Sequence, residues 1–202
     1  MNKIAAIILA AGGSSRMGRP KQLLKIDGVS FVRRTAETAL ASQCNRVFVV
    51  VGAQGDTVRE ELEGLDVTIV TNPLWHSGMG SSIRTGMQAL EADRHTYGAA
   101  LFLLVDQPAV TTALLDTIVD AFREGSDLVA SEYANAVGVP ALFAGMYFEA
   151  LENLPADSGA KVLLKRHGAD VARIPFLEGA FDIDTQADFE RLETLRNSVN
   201  NS

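Results

Sequence analysis

The run Ile4-Ala5-Ala6-Ile7-Ile8-Leu9-Ala10 leads directly into the loop Ala11-Gly12-Gly13-Ser14-Ser15-Arg16-Met17-Gly18-Arg19-Pro20-Lys21. A short run that is apolar at every position is typical of a central parallel strand, because both of its faces are covered. The runs Val47–Val51 and Ala99–Val105 have the same character and predict two more such strands. Ligands bind beyond the carboxyl ends of strands in open α/β sheets, so the glycine-rich loop marks the expected site.

Amphipathic helix patterns alternate with these strands along the first two thirds of the chain. Strand and helix in alternation, with short connections, predict right-handed crossovers and helices on both faces of a parallel sheet. The expected fold is therefore α/β, a three-layer α/β/α Rossmann-like arrangement. The predicted helices span 30–42, 54–63, 80–91 and 111–124, and shorter strands span 67–70 and 128–130.

The regular alternation breaks after about residue 132. The segment Gly138–Phe143 contains Pro140 near its start, which favours an edge or antiparallel strand and adds a small antiparallel portion to the sheet. Helices at 144–153 and 158–167, a strand at 171–175 and a last helix at 185–197 are predicted to follow. We expect a single domain over 1–197 and a frayed tail over 198–202.

The composition indicates an ordinary globular protein. The 202 residues are 47% hydrophobic and 21% charged, and the net charge of −7 disfavours nucleic acid as a partner. The run Ile4–Ala10 is too short to span a membrane and lacks signal-peptide features, so we expect a cytoplasmic protein without a membrane partner. The single cysteine, Cys44, excludes an internal disulfide and is expected to be a structural thiol.

The glycine loop has the chemistry of a phosphate-binding loop. Glycines let backbone N–H groups approach a phosphate, while Ser14 and Ser15 add hydroxyl donors and Arg16 and Lys21 add positive charge. The dinucleotide pattern G-x-G-x-x-G is absent, and the P-loop pattern fails because Arg19-Pro20 follow the second glycine. The loop therefore predicts triphosphate binding, although it matches neither the dinucleotide pattern nor the P-loop pattern.

A carboxylate follows the third of the predicted central strands. Asp106 comes directly after Ala99–Val105, at the sheet edge where the glycine loop is expected. Mg²⁺ needs only one or two carboxylates besides phosphate oxygens and water, so Asp106 is a candidate metal ligand. The alternative is a turn in which this carboxylate caps the next helix.

The loop Leu9–Lys21 resembles the signature L-A-A-G-x-S-x-R-M-G-x-x-K of a nucleotidyltransferase family that includes molybdenum cofactor cytidylyltransferases, and Pro20-Lys21-Gln22-Leu23-Leu24 extends the match. The resemblance implies that Arg16, Lys21 and Asp106 are catalytic. The segment Asn72–Ser82 is similar to a nucleotide-binding segment of the family, although Ser81 as a helix N-cap is nearly as plausible. The implied nucleotide-binding residues are Leu9, Ala10, Ala11, Gly12, Gly13, Ser14, Ser15, Arg16, Lys21, Asn72, Gly78, Ser81 and Ser82.

Phe181-Asp182-Ile183-Asp184-Thr185 resembles the family element D-I-D-T-x-x-D, which implies a second metal ligand. Asp184 is favoured over Asp182, and the alternative role of Asp184 is to cap the last helix. The segments that contain Gly138–Pro140 and Asp157–Gly159 resemble family segments that line the binding site of the acceptor substrate. They also fit a plain turn and a capped helix, respectively. The implied acceptor-binding residues are Gln107, Pro108, Gly138, Pro140, Asp157, Gly159 and Asp182.

The resemblance implies transfer of CMP from CTP, or of the monophosphate of another NTP, to molybdopterin or molybdenum cofactor. Mg²⁺ is the expected metal, with Mn²⁺ as the alternative, and a recipient molybdoenzyme or its chaperone is an expected partner. Guanylyl transfer to the same acceptor, a sugar-1-phosphate nucleotidyltransferase and a non-catalytic carrier are the alternatives. Trp75 is expected to be a packing residue, with stacking on a flat ligand group as the alternative, and His76, His95 and His167 show no ligand spacing.

Overall fold

The apolar run near the start of the chain forms a central strand. The computed structural model describes residues 3–13, 19–134, 136–180, 183, 185 and 187–191. Strand β1 (Lys3–Ala10) lies between β4 (Arg46–Val51) and β6 (Tyr97–Leu104) and is parallel to both. Its residues from Ile4 to Ala10 are all buried. The uninterrupted hydrophobicity of β1 thus reflects burial on both faces, as the sequence predicts.

The described strands form a seven-stranded sheet in the order β5-β4-β1-β6-β8-β7-β9 and a separate two-stranded hairpin, β2-β3. Strands β5, β4, β1 and β6 are parallel, whereas β8 is antiparallel to both of its neighbours. The predicted mostly parallel sheet with a small antiparallel portion is confirmed. The strands are β1 (Lys3–Ala10), β2 (Lys25–Ile26), β3 (Val29–Ser30), β4 (Arg46–Val51), β5 (Thr68–Thr71), β6 (Tyr97–Leu104), β7 (Leu128–Tyr133), β8 (Ala136–Ala144) and β9 (Val171–Pro175).

Helices cover both faces of the sheet. Alternate residues of β1 enter two different cores: Ile8 packs with α1, α2 and α4, whereas Ile7 packs with α3, α5 and α6. This arrangement confirms the three-layer α/β/α fold, because each helix buries one apolar stripe on the sheet. The helices are α1 (Phe31–Leu40), α2 (Gly55–Glu61), α3 (Met79–Gln88), α4 (Thr112–Arg123), α5 (Phe148–Glu152) and α6 (Lys161–Arg166).

Strand β8 satisfies one of the two alternatives expected for the segment that contains Pro140. It is antiparallel, as predicted, but it lies between β6 and β7 rather than at an edge of the sheet. Pro140 has no partner in either ladder, since the β7 register shifts between Ala130 and Ser131. Ser131 Oγ donates to the Pro140 carbonyl at 3.0 Å. The irregularity lets a residue without an N–H group occupy an interior strand.

The last described residues pack against the start of the chain. Ile183 and Phe189 join Leu24, Ile26 and Phe31 in a small apolar cluster. Residues 187–191 are helical, within the predicted last helix at 185–197. The remainder of that helix and the predicted tail at 198–202 lie outside the described residues. No described helix is both long and apolar enough to cross a bilayer.

Candidate active site

A cleft of about 350 Å³ opens where β1 and β6 end beside the start of α3. Its position agrees with the rule that open α/β sheets bind ligands beyond their strand ends. Three glycines, one lysine and one aspartate of the predicted site contribute to it, together with the predicted residues Leu9, Ala11 and Ser82. The cleft is lined by Leu9, Ala11, Gly12, Gly13, Lys21, Gln22, Trp75, His76, Gly78, Met79, Ser82, Leu104, Val105 and Asp106.

Two predicted catalytic residues meet in this cleft. Lys21 Nζ lies 3.3 Å from Asp106 Oδ2, although the residues are 85 positions apart in the sequence. Lys21 begins a 3₁₀ turn after the glycine loop, and Asp106 follows β6. The two side chains keep only 15% and 21% of their exposure, so their charges interact in a partly desolvated place.

Asp106 does not cap the following helix. The N-cap of α4 is Thr111, whose side chain accepts a hydrogen bond from the Leu114 amide. The second carboxylate oxygen, Asp106 Oδ1, is buried and has no hydrogen-bond partner among the described residues. The capping alternative for Asp106 is therefore wrong, and a buried acceptor oxygen remains available to a ligand.

Gln22 connects the glycine loop to the neighbouring strand end. Its side-chain amide donates to Gly12 O at 3.1 Å and to Ala53 O at 3.4 Å, and the residue is buried. The Ala53 amide in turn donates to Ala11 O at 3.2 Å. The described part of the loop is thus bonded to the residues after β4. Sequence reasoning missed this role, although a glutamine directly after Lys21 was a visible signal.

The predicted nucleotide residues Asn72, Ser81 and Ser82 form a buried network. Asn72 Nδ2 donates to Ser81 Oγ at 2.9 Å and to Ser82 Oγ at 3.0 Å, and Asn72 Oδ1 accepts from the Leu74 amide at 2.9 Å. Helix α3 is capped by Gly78, so Ser81 lies inside the helix and is not its N-cap. These side chains hold the segment between β5 and α3 in place, and Ser82 also lines the cleft.

The start of α3 packs closely on the segment before α6. The Gly80 amide donates to Ala156 O at 2.9 Å. A Cβ at Gly80 would lie 2.0 Å from Pro155 O, and one at Gly78, whose φ is +117°, would lie 2.5 Å from Ala156 O. Glycine is required at both positions because the two backbones are almost in contact. The predicted acceptor residue Asp157 belongs to this contact, next to the cleft.

A second, smaller cavity of about 170 Å³ adjoins the cleft through their common lining residues Leu9, Met79 and Leu104. The predicted acceptor residues Gly138 and Gly159 line it, together with Tyr133 and Lys161, which sequence reasoning did not select. Its remaining lining residues are mostly apolar: Ile83, Phe102, Val139, Ala160 and Leu164.

The other predicted acceptor residues are located elsewhere. Gln107 and Pro108 border a narrow gap beside Arg34 rather than either cavity, and Pro140 is buried inside β8. Their acceptor roles stay predictions without a place in the cleft. Several predicted site residues lie outside the described part of the chain: Ser14, Ser15, Arg16, Asp182 and Asp184.

The C-terminal segment reaches the site through its backbone. The Ile183 amide donates to Asp106 O at 3.1 Å, and the Ile183 side chain is fully buried. Its covalent neighbours in the sequence are the two predicted candidates for the second metal ligand. Among the described residues, no three histidine, cysteine, aspartate or glutamate side chains are grouped as a metal site.

Cys44 lies away from the cleft, before β4. Burial raises the pKa of its thiol to about 11, and the Ser42 hydrogen bond lowers the pKa by less. A thiol with this pKa is almost fully protonated near neutral pH and is a poor nucleophile. The geometry therefore agrees with the structural role expected for this cysteine.

A model of the MobA-like NTP transferase domain matches residues 6–171, which include most of β1, the glycine loop and Asp106. The chain belongs to this family. It is therefore a member of a family of nucleotidyltransferases, and the candidate site lies within the matched residues, beyond the ends of β1 and β6.

Two relatives of this chain are named for different activities. Nicotine blue oxidoreductase of Paenarthrobacter nicotinovorans is 29% identical over 202 residues, covering 95% of this chain and 93% of the relative. Molybdenum cofactor cytidylyltransferase of Escherichia coli is 30% identical over 109 residues, covering 52% of this chain and 56% of the relative.

Solved structures of similar proteins superpose on nearly the whole of this chain. Rv0371c of Mycobacterium tuberculosis superposes with a TM-score of 0.80 at 27% identity, covering 96% of this chain and 98% of that one. A complex of the same mycobacterial protein with manganese gives a TM-score of 0.76 at 26% identity, covering 95% and 98%. A divalent metal is thus present in a structure of a relative with the same fold.

Proposed function

We propose that the protein is a cytidylyltransferase that transfers CMP from CTP to the phosphate of molybdopterin or molybdenum cofactor and releases pyrophosphate. The observation that carries the proposal is the 3.3 Å contact between Lys21 Nζ and Asp106 Oδ2, in the cleft beyond the ends of the adjacent parallel strands β1 and β6. A cation and a carboxylate at one end of a cleft are the groups that phosphoryl transfer requires, because it depends on positioning and charge neutralisation.

The reaction is an in-line displacement at the α-phosphorus. A bond forms between an acceptor phosphate oxygen and this phosphorus, while the bond to the bridging oxygen breaks and pyrophosphate leaves with that oxygen. Lys21 neutralises negative charge on the triphosphate, and we assign Arg16 the same task. The Gly12–Gly13 backbone approaches the phosphates closely because neither residue carries a side chain. No nucleophilic side chain is needed.

The carboxylate of Asp106 fits a divalent metal. Its Oδ1 atom is buried without a hydrogen-bond partner among the described residues, and such an oxygen is a natural ligand for a hard cation. We propose Mg²⁺, with Mn²⁺ as the alternative, held by Asp106 and by Asp184 beside the docked Ile183. A cation there supplies charge neutralisation and orientation at the α-phosphate.

Two similarities support the choice of CTP and molybdopterin. The Escherichia coli relative carries this activity in its name. The loop reads Leu9-Ala10-Ala11-Gly12, whereas the guanylyl branch of the family resembles L-A-G-G. We therefore place CTP before GTP and molybdopterin before a sugar phosphate as acceptor.

Pyrophosphate release tests the proposal. The protein is incubated with Mg²⁺ and each of CTP, GTP, UTP and ATP, in separate assays with molybdopterin, with a sugar 1-phosphate and without an acceptor. We expect release with CTP only when the pterin is present. Release with GTP but not with CTP would indicate guanylyl transfer instead. Release only with a sugar 1-phosphate would show that the acceptor is a sugar phosphate and not molybdopterin.

The metal role of Asp106 is tested by substitution. Asp106→Ala is expected to reduce turnover by at least about 10³-fold, because charge stabilisation at the reacting phosphate is among the largest catalytic effects. The thermal unfolding midpoint should change little, since only a partly exposed side chain is removed. Asp116→Ala, a carboxylate on α4 away from the cleft, is the matched control. Turnover that survives in Asp106→Ala would disprove the assigned role.

An oxidoreductase is a second candidate, and one observation favours it. The similarity to nicotine blue oxidoreductase extends over 95% of this chain, further than the similarity to the cytidylyltransferase. The discriminating assay adds NADH or NADPH with a planar dye and follows absorbance. Dye-dependent oxidation of the reduced nicotinamide, without pyrophosphate release in the first assay, would establish this candidate instead.

A further inference from the structure

An apolar rim borders the mouth of the cleft. Six large hydrophobic side chains are exposed among the described residues, and three of them, Leu74, Trp75 and Met79, lie within one short segment before and at the start of α3. Trp75 and Met79 also line the cleft. Exposed apolar groups concentrated at a concave site indicate a ligand surface, because solitary exposed residues are scattered over most proteins.

Trp75 packs against two glycines and remains partly exposed to the cleft. A Cβ at Gly13 would lie 2.9 Å from Trp75 Cζ3, and a Cβ at Gly52 would lie 2.5 Å from Trp75 Cβ. The indole therefore rests on the backbone of the phosphate loop and of the turn after β4. His76 meets it edge to face, with ring centroids 6.1 Å apart. Trp75 as a whole still keeps 37% of its exposure.

We propose that Trp75 is the wall against which the nucleobase of the bound NTP packs. The inference rests on the proposed function in one respect, namely that the cleft receives an NTP with its phosphates at Gly12, Gly13 and Lys21. The nucleoside must then extend from Gly13 along the cleft, and the indole adjoins that glycine. Every base has a flat π-face, so stacking of this kind is tolerant of base identity.

The position of Trp75 favours the nucleobase over a ring of the acceptor. Trp75 lines the main cleft but not the second cavity, whereas Met79 lines both. Met79 therefore marks the border between the two, and Trp75 lies on the phosphate-loop side of that border. An acceptor ring in the second cavity would contact Met79 without reaching the indole.

Two ligands separate base contact from loop support. CTP carries a base, and inorganic tripolyphosphate carries only the phosphate chain. For Trp75→Ala we expect CTP to bind about tenfold more weakly or worse, because base stacking on an aromatic residue contributes at this level. The affinity for tripolyphosphate should stay within about twofold of the original. Trp75→Phe, which keeps a smaller aromatic face, should lie between the two for CTP.

Calorimetric titration provides these affinities, with Leu177→Ala as the control for removal of an exposed apolar side chain outside the cleft. Trp75 is the only tryptophan of the chain, so CTP should also change the intrinsic fluorescence of the unaltered protein, whereas tripolyphosphate should change it much less.

An equal loss of affinity for both ligands in Trp75→Ala would mean that Trp75 only supports the loop, and the proposal would be wrong. Unchanged CTP affinity, or CTP binding to the unaltered protein without a fluorescence change, would also overturn it. Failure of the proposed function has a different signature: CTP binds with the expected fluorescence change, but no acceptor leads to pyrophosphate release.

Discussion

At the scale of single residues, the site depends on side chains that place the backbone as much as on those that carry charge. Gln22 illustrates this point, because its amide donates to the carbonyl groups of Gly12 and Ala53 from a buried position. Each of these bonds contributes about 1 kcal/mol, and breaking them leaves buried carbonyl groups with fewer partners. Gln22 is therefore a positioning residue for the phosphate loop.

Substitution of Gln22 should affect substrate binding before it affects chemistry. Gln22→Leu removes both donated bonds, so we expect the KM for CTP to rise by about tenfold while kcat falls by less. Gln22→Glu should be worse, because a carboxylate would face two carbonyl oxygens. Steady-state kinetics of both variants provides the measurement, with exposed Gln88→Ala as the control. Equal KM values in all four proteins would contradict the positioning role.

At the scale of elements, most strands and helices could be predicted because their apolar periods are clean. The predicted helix at 30–42 is observed as α1 (Phe31–Leu40), with Ser30 as its N-cap, and the predicted strand at 171–175 is β9. The interior position of β8 could not be predicted, because the register shift that accommodates Pro140 depends on β7. The local sequence predicts that a segment forms a strand, whereas contacts with neighbouring strands determine its position in the sheet.

The junction between α3 and the segment before α6 allows a test of element packing. A Cβ at Gly80 would lie 2.0 Å from Pro155 O, and a backbone carbonyl cannot move aside cheaply. Gly80→Ala is therefore expected to lower the free energy of unfolding by about 1–3 kcal/mol, the usual cost of overpacking. Urea unfolding measures the change. The matched control is Gly145→Ala, whose Cβ would meet its nearest atom, Gly98 O, at 3.5 Å, an ordinary contact.

Two results would contradict this packing account. One is a Gly80→Ala variant as stable as the unaltered protein. The other is a Gly145→Ala variant that is destabilised equally. The same junction positions Gly78 and Met79 in the cleft, so Gly80→Ala should also weaken CTP binding.

At the scale of the whole molecule, the fold brings distant residues to one sheet edge. The meeting of Lys21 and Asp106 could be predicted, because each follows a central parallel strand and such strands end side by side. The place of Trp75 could not be predicted, since it depends on Gly13 and Gly52 leaving room for its ring. The network of Asn72, Ser81 and Ser82 could not be predicted either, because the sequence alone does not show that Asn72 forms hydrogen bonds with the two serines.

The central claim is that the bond broken in the NTP lies at the α-phosphorus. The most direct measurement follows CTP labelled at the α-phosphate, with Mg²⁺ and molybdopterin, by chromatography of the products. The account predicts that the α label appears in a pterin-containing product and that unlabelled pyrophosphate is released in equal amount. Label that is recovered in CDP or remains in CTP would contradict nucleotidyl transfer.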